Sequence, residues 1–164
     1  MIKSCVLIYA LIINSFSVGE IPADQNFLDL INCIKVLPTE CLSYSNLLIE
    51  NFEEDNLETA FKIMWCESRG KAKAYRYEDN DSGLFQFIPR TYAWVQQKHN
   101  LPYWDYPIGT TYAQFIPKYN IKAAALLVED MHSYSPYWKD FSSSEWCWGS
   151  TDRFLKLVAK EKGL

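Results

Sequence analysis

A stripe of apolar residues predicts an amphipathic helix that begins near Asn56. The stripe has the i, i+3, i+4, i+7 spacing of one helix face, and its members are Leu57, Ala60, Phe61 and Met64. Asp55 and Glu58, at its start, have the spacing of a capping box. Successive residues of a helix turn by ~100°, which places Glu67 at the edge of the stripe, in the last turn. The pattern therefore predicts a carboxyl group at a helix end, beside apolar side chains.

Further helices are predicted from apolar spacing and from residues that favour helix ends. They cover residues 43–52, Pro89 to about His99, a segment capped by Asn120 that buries Ile121, Ala124, Ala125 and Val128, and a segment from Thr151 or Asp152 to Gly163. Residues 75–77 and 84–87 flank the turn-rich sequence EDNDSG, which is typical of a small hairpin. The predicted fold class is mainly α, within α+β, with a small β-hairpin lobe.

The first residues have the layout of a secretory signal peptide. Their order is Lys3, the apolar run 5–13, and then the small residues Ser15, Ser17 and Gly19. We expect residues 1–19 to be a removable leader and residues 20–164 to form a single domain, with a buried N-terminal helix as the alternative. Because no later segment has ~20 uninterrupted apolar residues, we expect a secreted, extracellular protein without a membrane span.

Removal of that leader would leave an even number of cysteines, namely Cys33, Cys41, Cys66 and Cys147. An even count in an exported chain indicates disulfides whose connectivity stays open. We favour a local bond between Cys33 and Cys41 and a second one between Cys66 and Cys147. A zinc site competes with this interpretation, but the chain has no CxxC pair and neither histidine is near a cysteine in sequence. We therefore expect no metal and no cofactor.

The charge and the aromatic content narrow the class of ligand. The formal net charge is −4, so contacts with nucleic acid or with anionic membranes are disfavoured. Aromatic residues make up 16% of the chain, and flat rings such as that of Trp104 can stack on sugars, although core packing explains many of them equally well. We expect a monomer that binds a carbohydrate.

Several short motifs occur in an order that resembles the lysozyme and lytic transglycosylase superfamily. Glu67-Ser68 is followed by a polar loop and then by GLFQFIP at 83–89. Asn120-Ile121, with alanines after it, resembles the next helix of the transglycosylase branch. DSGLFQ at 81–86 is similar to a loop of animal-type lysozymes. The resemblance covers about residues 57–148 and implies a helical bundle with a small β lobe that flanks a cleft.

The resemblance implies that Glu67 is the catalytic acid. Burial beside apolar groups raises the pKa of a carboxyl, which keeps it protonated for general acid catalysis. Asp81, on the polar tip of the predicted hairpin, is the second carboxylate, with Asp79 and Asp105 as rivals and an ordinary turn residue as the alternative. The residues predicted to bind substrate are Ser68, Phe85, Gln86, Trp104, Tyr119 and Asn120.

We therefore expect a muramidase that hydrolyses the glycan strands of bacterial peptidoglycan, or a related amino-sugar polysaccharide. One alternative is a lytic transglycosylase, in which the acetamido group of the substrate replaces Asp81 and an anhydro sugar is formed. Another alternative is a sugar-binding protein without activity. The negative net charge favours activity in an acidic digestive compartment, where fewer carboxylates are ionised and repulsion from anionic cell walls is weaker. Asn80-Asp81-Ser82 is also a glycosylation sequon beside the expected cleft.

Overall fold

The structure is a computed structural model that describes residues 1–18, 24–101, 113–131 and 138–164. The chain divides into two compact units: unit 1 contains residues 1–62 and 146–164, and unit 2 contains residues 63–145. Trp104 and Asp105 lie outside the described residues, so their predicted roles stay predictions. No helix within the described ranges is long and apolar enough to cross a membrane.

Unit 1 is helical. Its elements are α1 (Ile2–Val18), α2 (Asp24–Val36), α3 (Thr39–Leu42), α4 (Ser45–Asn51), a 3₁₀ turn (Glu54–Asn56), the first half of α5 (Leu57–Ser68) and α9 (Thr151–Lys162). Helix α1 packs against α2 and α4, and α9 packs against α2. The last carbonyl groups of α2 have no hydrogen-bond partner within the helix. Lys162 provides one, because its Nζ donates to the carbonyls of Ile34 at 2.8 Å and Leu37 at 2.7 Å.

The start of α5 differs from the predicted capping box. Glu58 accepts a hydrogen bond from the Thr151 hydroxyl at 2.7 Å and lies 3.4 Å from Lys62 Nζ, so its carboxylate is used in a tertiary contact. The apolar stripe is placed as predicted, and Phe61 meets Phe154 of α9 edge to face with ring centroids 6.3 Å apart. Helix α9 is capped by Ser150, one residue before the predicted cap, because the Ser150 hydroxyl accepts from a backbone N–H of the first turn.

Unit 2 holds the hairpin and two longer helices. Its elements are the end of α5, β1 (Tyr75–Arg76), β2 (Asp81–Ser82), α6 (Pro89–His99), a 3₁₀ turn (Ala113–Phe115), α7 (Pro117–Met131) and a 3₁₀ segment (Lys139–Ser144), after which α8 (Glu145–Trp148) begins. Helices α6 and α7 pack together, and Asp130 of α7 lies 2.6 Å from Lys98 Nζ and 2.7 Å from His99 Nε2. The mainly α fold with a small hairpin is confirmed.

The hairpin and α7 differ in detail from the prediction. The strands pair antiparallel, with Tyr75 opposite Ser82 and Arg76 opposite Asp81, so Asp81 lies in a strand and not at the tip. The predicted strand over 84–87 is wrong, because residues 83–86 form a turn and only a single bridge joins Ser82 to Phe87. The predicted Asn120 cap is also wrong, since α7 already begins at Pro117.

One disulfide prediction is corrected. Cys33 is bonded to Cys5, with Cα atoms 5.4 Å apart, because α1 packs on α2 and brings the two residues within disulfide range. Cys41 is buried and takes no part in a disulfide, so the predicted bond between Cys33 and Cys41 is wrong. Cys66 and Cys147 are both disulfide-bonded. Removal of residues 1–19 as a leader stays a prediction.

Candidate active site

Glu67 opens into a cavity of about 320 Å³ in unit 2. The residue lies in the last turn of α5 and is half-buried, as the apolar stripe predicted. The polar lining residues are Glu67, Arg76, Asp79, Asp81, Gln86, Thr91, Asp140 and Ser143. The apolar lining residues are Phe85, Phe87, Ile88, Leu127 and Phe141. The cavity is lined by both polar and apolar side chains, which suits the polar groups and the apolar faces of a sugar ring.

The surroundings of Glu67 favour the protonated carboxyl. Burial raises the pKa of Glu67 above its ordinary value, and this effect is the largest of those that act on it. A hydrogen bond from Ser144 and the charge of Arg76 oppose the rise, whereas the charge of Asp81 adds to it. The net effect is a raised pKa, so the group keeps its proton to higher pH than an exposed glutamate. This is the electrostatic requirement for a general acid.

Asp81 lies in surroundings of another kind. Its side chain is only 3% exposed, and its Oδ2 is paired with the guanidinium of Arg76 across the hairpin. Arg76 also lies 3.7 Å from Asp79. The second oxygen of Asp81, Oδ1, is buried and has no hydrogen-bond partner. The carboxylate is therefore held by a cation on its own hairpin, and it is not presented to solvent at a tip as the sequence suggested.

The turn that follows β2 depends on a buried amide. Asn120 is fully buried; its Oδ1 accepts from the backbone N–H of Phe85 at 2.9 Å, and its Nδ2 donates to the carbonyl of Gln114 at 2.8 Å. Gly83 has φ +80°, and a Cβ there would lie 2.1 Å from the Gln114 carbonyl oxygen. We conclude that Asn120 holds the turn after β2 in place, and its predicted role as a substrate ligand stays a prediction.

Gln86 is part of the lining and is held in an unusual conformation. Its φ is 45°, in the left-handed region that non-glycine residues rarely adopt. Its Nε2 donates to the carbonyls of Ala74 at 3.2 Å and Gly83 at 2.9 Å. Because both N–H groups are used, the side-chain carbonyl is the group left for a ligand. Gln86 thus lines the cavity from a turn and not from a strand, and its predicted contact with substrate stays a prediction.

The remaining predicted residues lie in three different places. Phe85 lines the cavity. Ser68 is buried and ends α5, since its hydroxyl donates to the Met64 carbonyl at 2.9 Å and accepts from the Gly70 N–H at 3.2 Å. Tyr119 is half-buried on α7 and is not among the described residues that line the cavity. Neither Ser68 nor Tyr119 is part of the described lining, and their predicted contacts with substrate stay predictions.

The sequence did not point to the wall formed by residues 139–144. Asp140 is exposed and lines the cavity, and Ser144 of the same segment contributes a hydrogen bond that lowers the pKa of Glu67. Arg76 of the hairpin also lines the cavity without having been predicted to do so. The cluster of small polar residues in DFSSSE was the available signal, although such clusters usually indicate loops. No group of His, Cys, Asp or Glu in the described ranges is arranged to hold a metal ion.

Comparison with known proteins gives one result at the level of a family. A family model described as the transglycosylase SLT domain matches residues 49–144, which is more than half of the chain. The match includes Glu67, the hairpin and the whole described lining of the cavity. The searches of curated proteins and of solved structures gave no match.

Proposed function

Because the chain belongs to the transglycosylase SLT family, which comprises lytic transglycosylases and lysozyme-like glycosidases, we propose that it cleaves the glycan strands of peptidoglycan. Glu67 is the general acid. The observation that carries this proposal is a half-buried carboxyl with a raised pKa that opens into a polar cleft. Related amino-sugar polymers belong to the same substrate class, because Gln86 offers an acceptor for an acetamido N–H.

The first step breaks the bond between C1 of one sugar and the bridging oxygen of the next. Glu67 donates its proton to that oxygen, which leaves as a hydroxyl, and positive charge develops at C1. The apolar side chains of the lining, including Phe85 and Phe141, limit the water in the cavity and strengthen electrostatic interactions there. A group with a lone pair must then stabilise the positive charge at C1.

The geometry favours the acetamido group of the substrate as that stabilising group. Asp81 lines the cavity, but one of its oxygens is paired with Arg76 and the other is buried, so this carboxylate is less available to C1 than an exposed one would be. In the acetamido route the amide oxygen bonds to C1, and the sugar's 6-hydroxyl then displaces it. The 6-hydroxyl proton passes to the Glu67 carboxylate. The product is a 1,6-anhydro sugar, and no second protein carboxylate is required.

Hydrolysis is the second candidate reaction, and the position of Asp140 is the observation that favours it. This exposed carboxylate lines the same cavity as Glu67. A carboxylate in that position can activate a water molecule or stabilise the charge at C1. Water would then complete the reaction and leave a reducing sugar end.

Product analysis separates these outcomes. Purified peptidoglycan is incubated with the protein, and the fragments are examined by mass spectrometry before and after borohydride reduction. We expect anhydro ends, which are lighter than reducing ends by one water and do not react with borohydride. Reducing ends would establish hydrolysis instead. Binding to peptidoglycan without any fragments would contradict the enzymatic proposal and support a sugar-binding protein.

A further inference from the structure

The two faces of the hairpin have different surroundings. Arg76 and Asp81, which lie opposite each other on the two strands, line the cavity together with Asp79. The other opposed pair, Tyr75 and Ser82, is not among the described lining residues. Since successive side chains of a strand point to opposite faces, the hairpin has a second face that is directed away from the cavity.

Asn80, the last residue of the turn between the strands, is held from this second face. Its φ is 59°, a left-handed conformation that asparagine tolerates in turns. Its Oδ1 accepts a hydrogen bond from the Tyr75 hydroxyl at 2.5 Å. The residue is partly exposed, and within the described part of the chain its Nδ2 makes no hydrogen bond. The amide carbonyl is therefore fixed, while the amide nitrogen is available for modification.

Asn80 is also the acceptor position of an N-glycosylation sequon. Asn80-Asp81-Ser82 is the one Asn-x-Ser/Thr sequence in the chain. Glycans of this kind are attached in an oxidising secretory compartment, where disulfides also persist. Cys66 and Cys147 are both disulfide-bonded, and such bonds are rare in reducing compartments. The cysteine chemistry and the sequon therefore point to the same compartment.

An exposed aromatic ring lies beside Asn80. Tyr77 begins the same turn, three residues before Asn80, and is 86% exposed. Its ring centroid lies 4.8 Å from that of Tyr75, and the two rings are nearly perpendicular. Tyr75 thus contacts both Tyr77 and Asn80. A sugar on the Asn80 side chain would have a flat ring within reach, and the apolar face of a sugar packs well on such a surface.

We propose that Asn80 carries an N-linked glycan whose first N-acetylglucosamine packs on the ring of Tyr77. The donor class is a lipid-linked oligosaccharide diphosphate. The bond between C1 of the sugar and the phosphate oxygen breaks, a bond from Asn80 Nδ2 to C1 forms, Nδ2 loses one proton, and the lipid diphosphate leaves. Asn80 does not line the cavity, so the glycan leaves the proposed active site open. The inference does not depend on the proposed function.

Occupancy of the site is tested on the full chain secreted from insect cells. The peptide that contains residue 80 is examined by mass spectrometry before and after treatment with a peptide N-glycosidase in heavy-oxygen water. We expect a glycopeptide that the glycosidase converts into a peptide with a heavy-oxygen-labelled aspartate at position 80. The controls are a sample without the glycosidase and Asn80→Gln, which removes the acceptor. A secreted chain with unmodified Asn80 would overturn the inference.

The contact with Tyr77 is tested by thermal melting of the glycosylated chain and of the same chain without a glycan, exported to the periplasm of a bacterium that lacks the transferase. We expect the glycan to raise Tm by about 3 °C in the native sequence and in Tyr77→Phe, which keeps the ring. In Tyr77→Ala, which should stay folded because this side chain is exposed, the glycan should leave Tm unchanged. An equal rise in all three proteins would show that Tyr77 does not hold the sugar. Neither measurement needs turnover, so both remain decisive if the proposed activity fails.

Discussion

Two carboxyl groups that share one cavity illustrate how different partners change the role of the same chemical group. Asp81 on the hairpin is almost fully buried and is compensated by the cation Arg76. Glu67 on α5 is half-buried and has no cation in direct contact among the described residues. Burial is the largest effect on its pKa and raises it, while the Ser144 hydroxyl and the charge of Arg76 oppose the rise only in part. The two carboxyls therefore differ in whether an opposite charge compensates their burial, and the uncompensated one is Glu67.

The strongest test of this comparison is amide substitution of each carboxyl in turn. We expect Glu67→Gln to lower kcat by at least about 1000-fold, because the proposed proton donor to the glycosidic oxygen is lost. Asp81→Asn should retain activity within about tenfold, since the acetamido route does not use this carboxylate. The measurement is the initial rate of peptidoglycan cleavage. Equal losses in both variants would show that Asp81 takes part in the chemistry.

A second test addresses the turn that holds the hairpin wall, by a pair of glycine substitutions. Gly83→Ala places a Cβ 2.1 Å from a backbone oxygen in a left-handed conformation, and we expect a loss of about 3 kcal/mol of unfolding free energy. Gly163→Ala is the matched control, because Gly163 has φ +74° but no atom within 4 Å of its Cβ position. It should lose only about 1 kcal/mol. Urea denaturation measures both, and equal losses would contradict the packing argument.

The third test changes the cation and leaves both carboxyls in place. Arg76→Gln removes a charge that lowers the pKa of Glu67. That pKa should therefore rise, and the alkaline limb of the activity profile should move to higher pH. Asp81 would lose its cation, and we expect about 2 kcal/mol of destabilisation, less than for a fully buried pair because Arg76 is half-exposed. An unchanged pH profile would show that Arg76 and Glu67 are electrostatically independent.

The parts of this molecule that sequence predicted well are those fixed by local spacing. The α5 stripe placed Glu67 correctly because a helix of known pitch determines which side each residue faces. Helix α6 begins at Pro89, and Gly163 ends α9 in a left-handed conformation, as their residue types indicated. These features depend on neighbours within a few residues.

The parts that sequence missed depend on distant contacts. The turn after β2 is held by Asn120, which accepts a hydrogen bond from Phe85 across 35 positions of the chain, and the local sequence pattern does not indicate that contact. The bond between Cys5 and Cys33 follows from the packing of α1 on α2. Ser144 and Asp140 lie in a short 3₁₀ segment with no apolar period. In each case, tertiary structure decides what the local pattern leaves open.

The left-handed backbone of Gln86 has a consequence for how this protein could be engineered. Glycine at position 86 would relieve a conformation that disfavours side chains by roughly 1 kcal/mol, so it is an obvious candidate in a search for thermal robustness. The same change would delete the amide that ties residues 74 and 83 together and offers its oxygen to the cavity. Since each of these two hydrogen bonds contributes about 1 kcal/mol, their loss would cancel the relief of backbone strain. The glycine variant would gain no heat resistance and would lose a polar group of the cavity, so the strained backbone at position 86 is not a reserve of stability that protein engineering could recover.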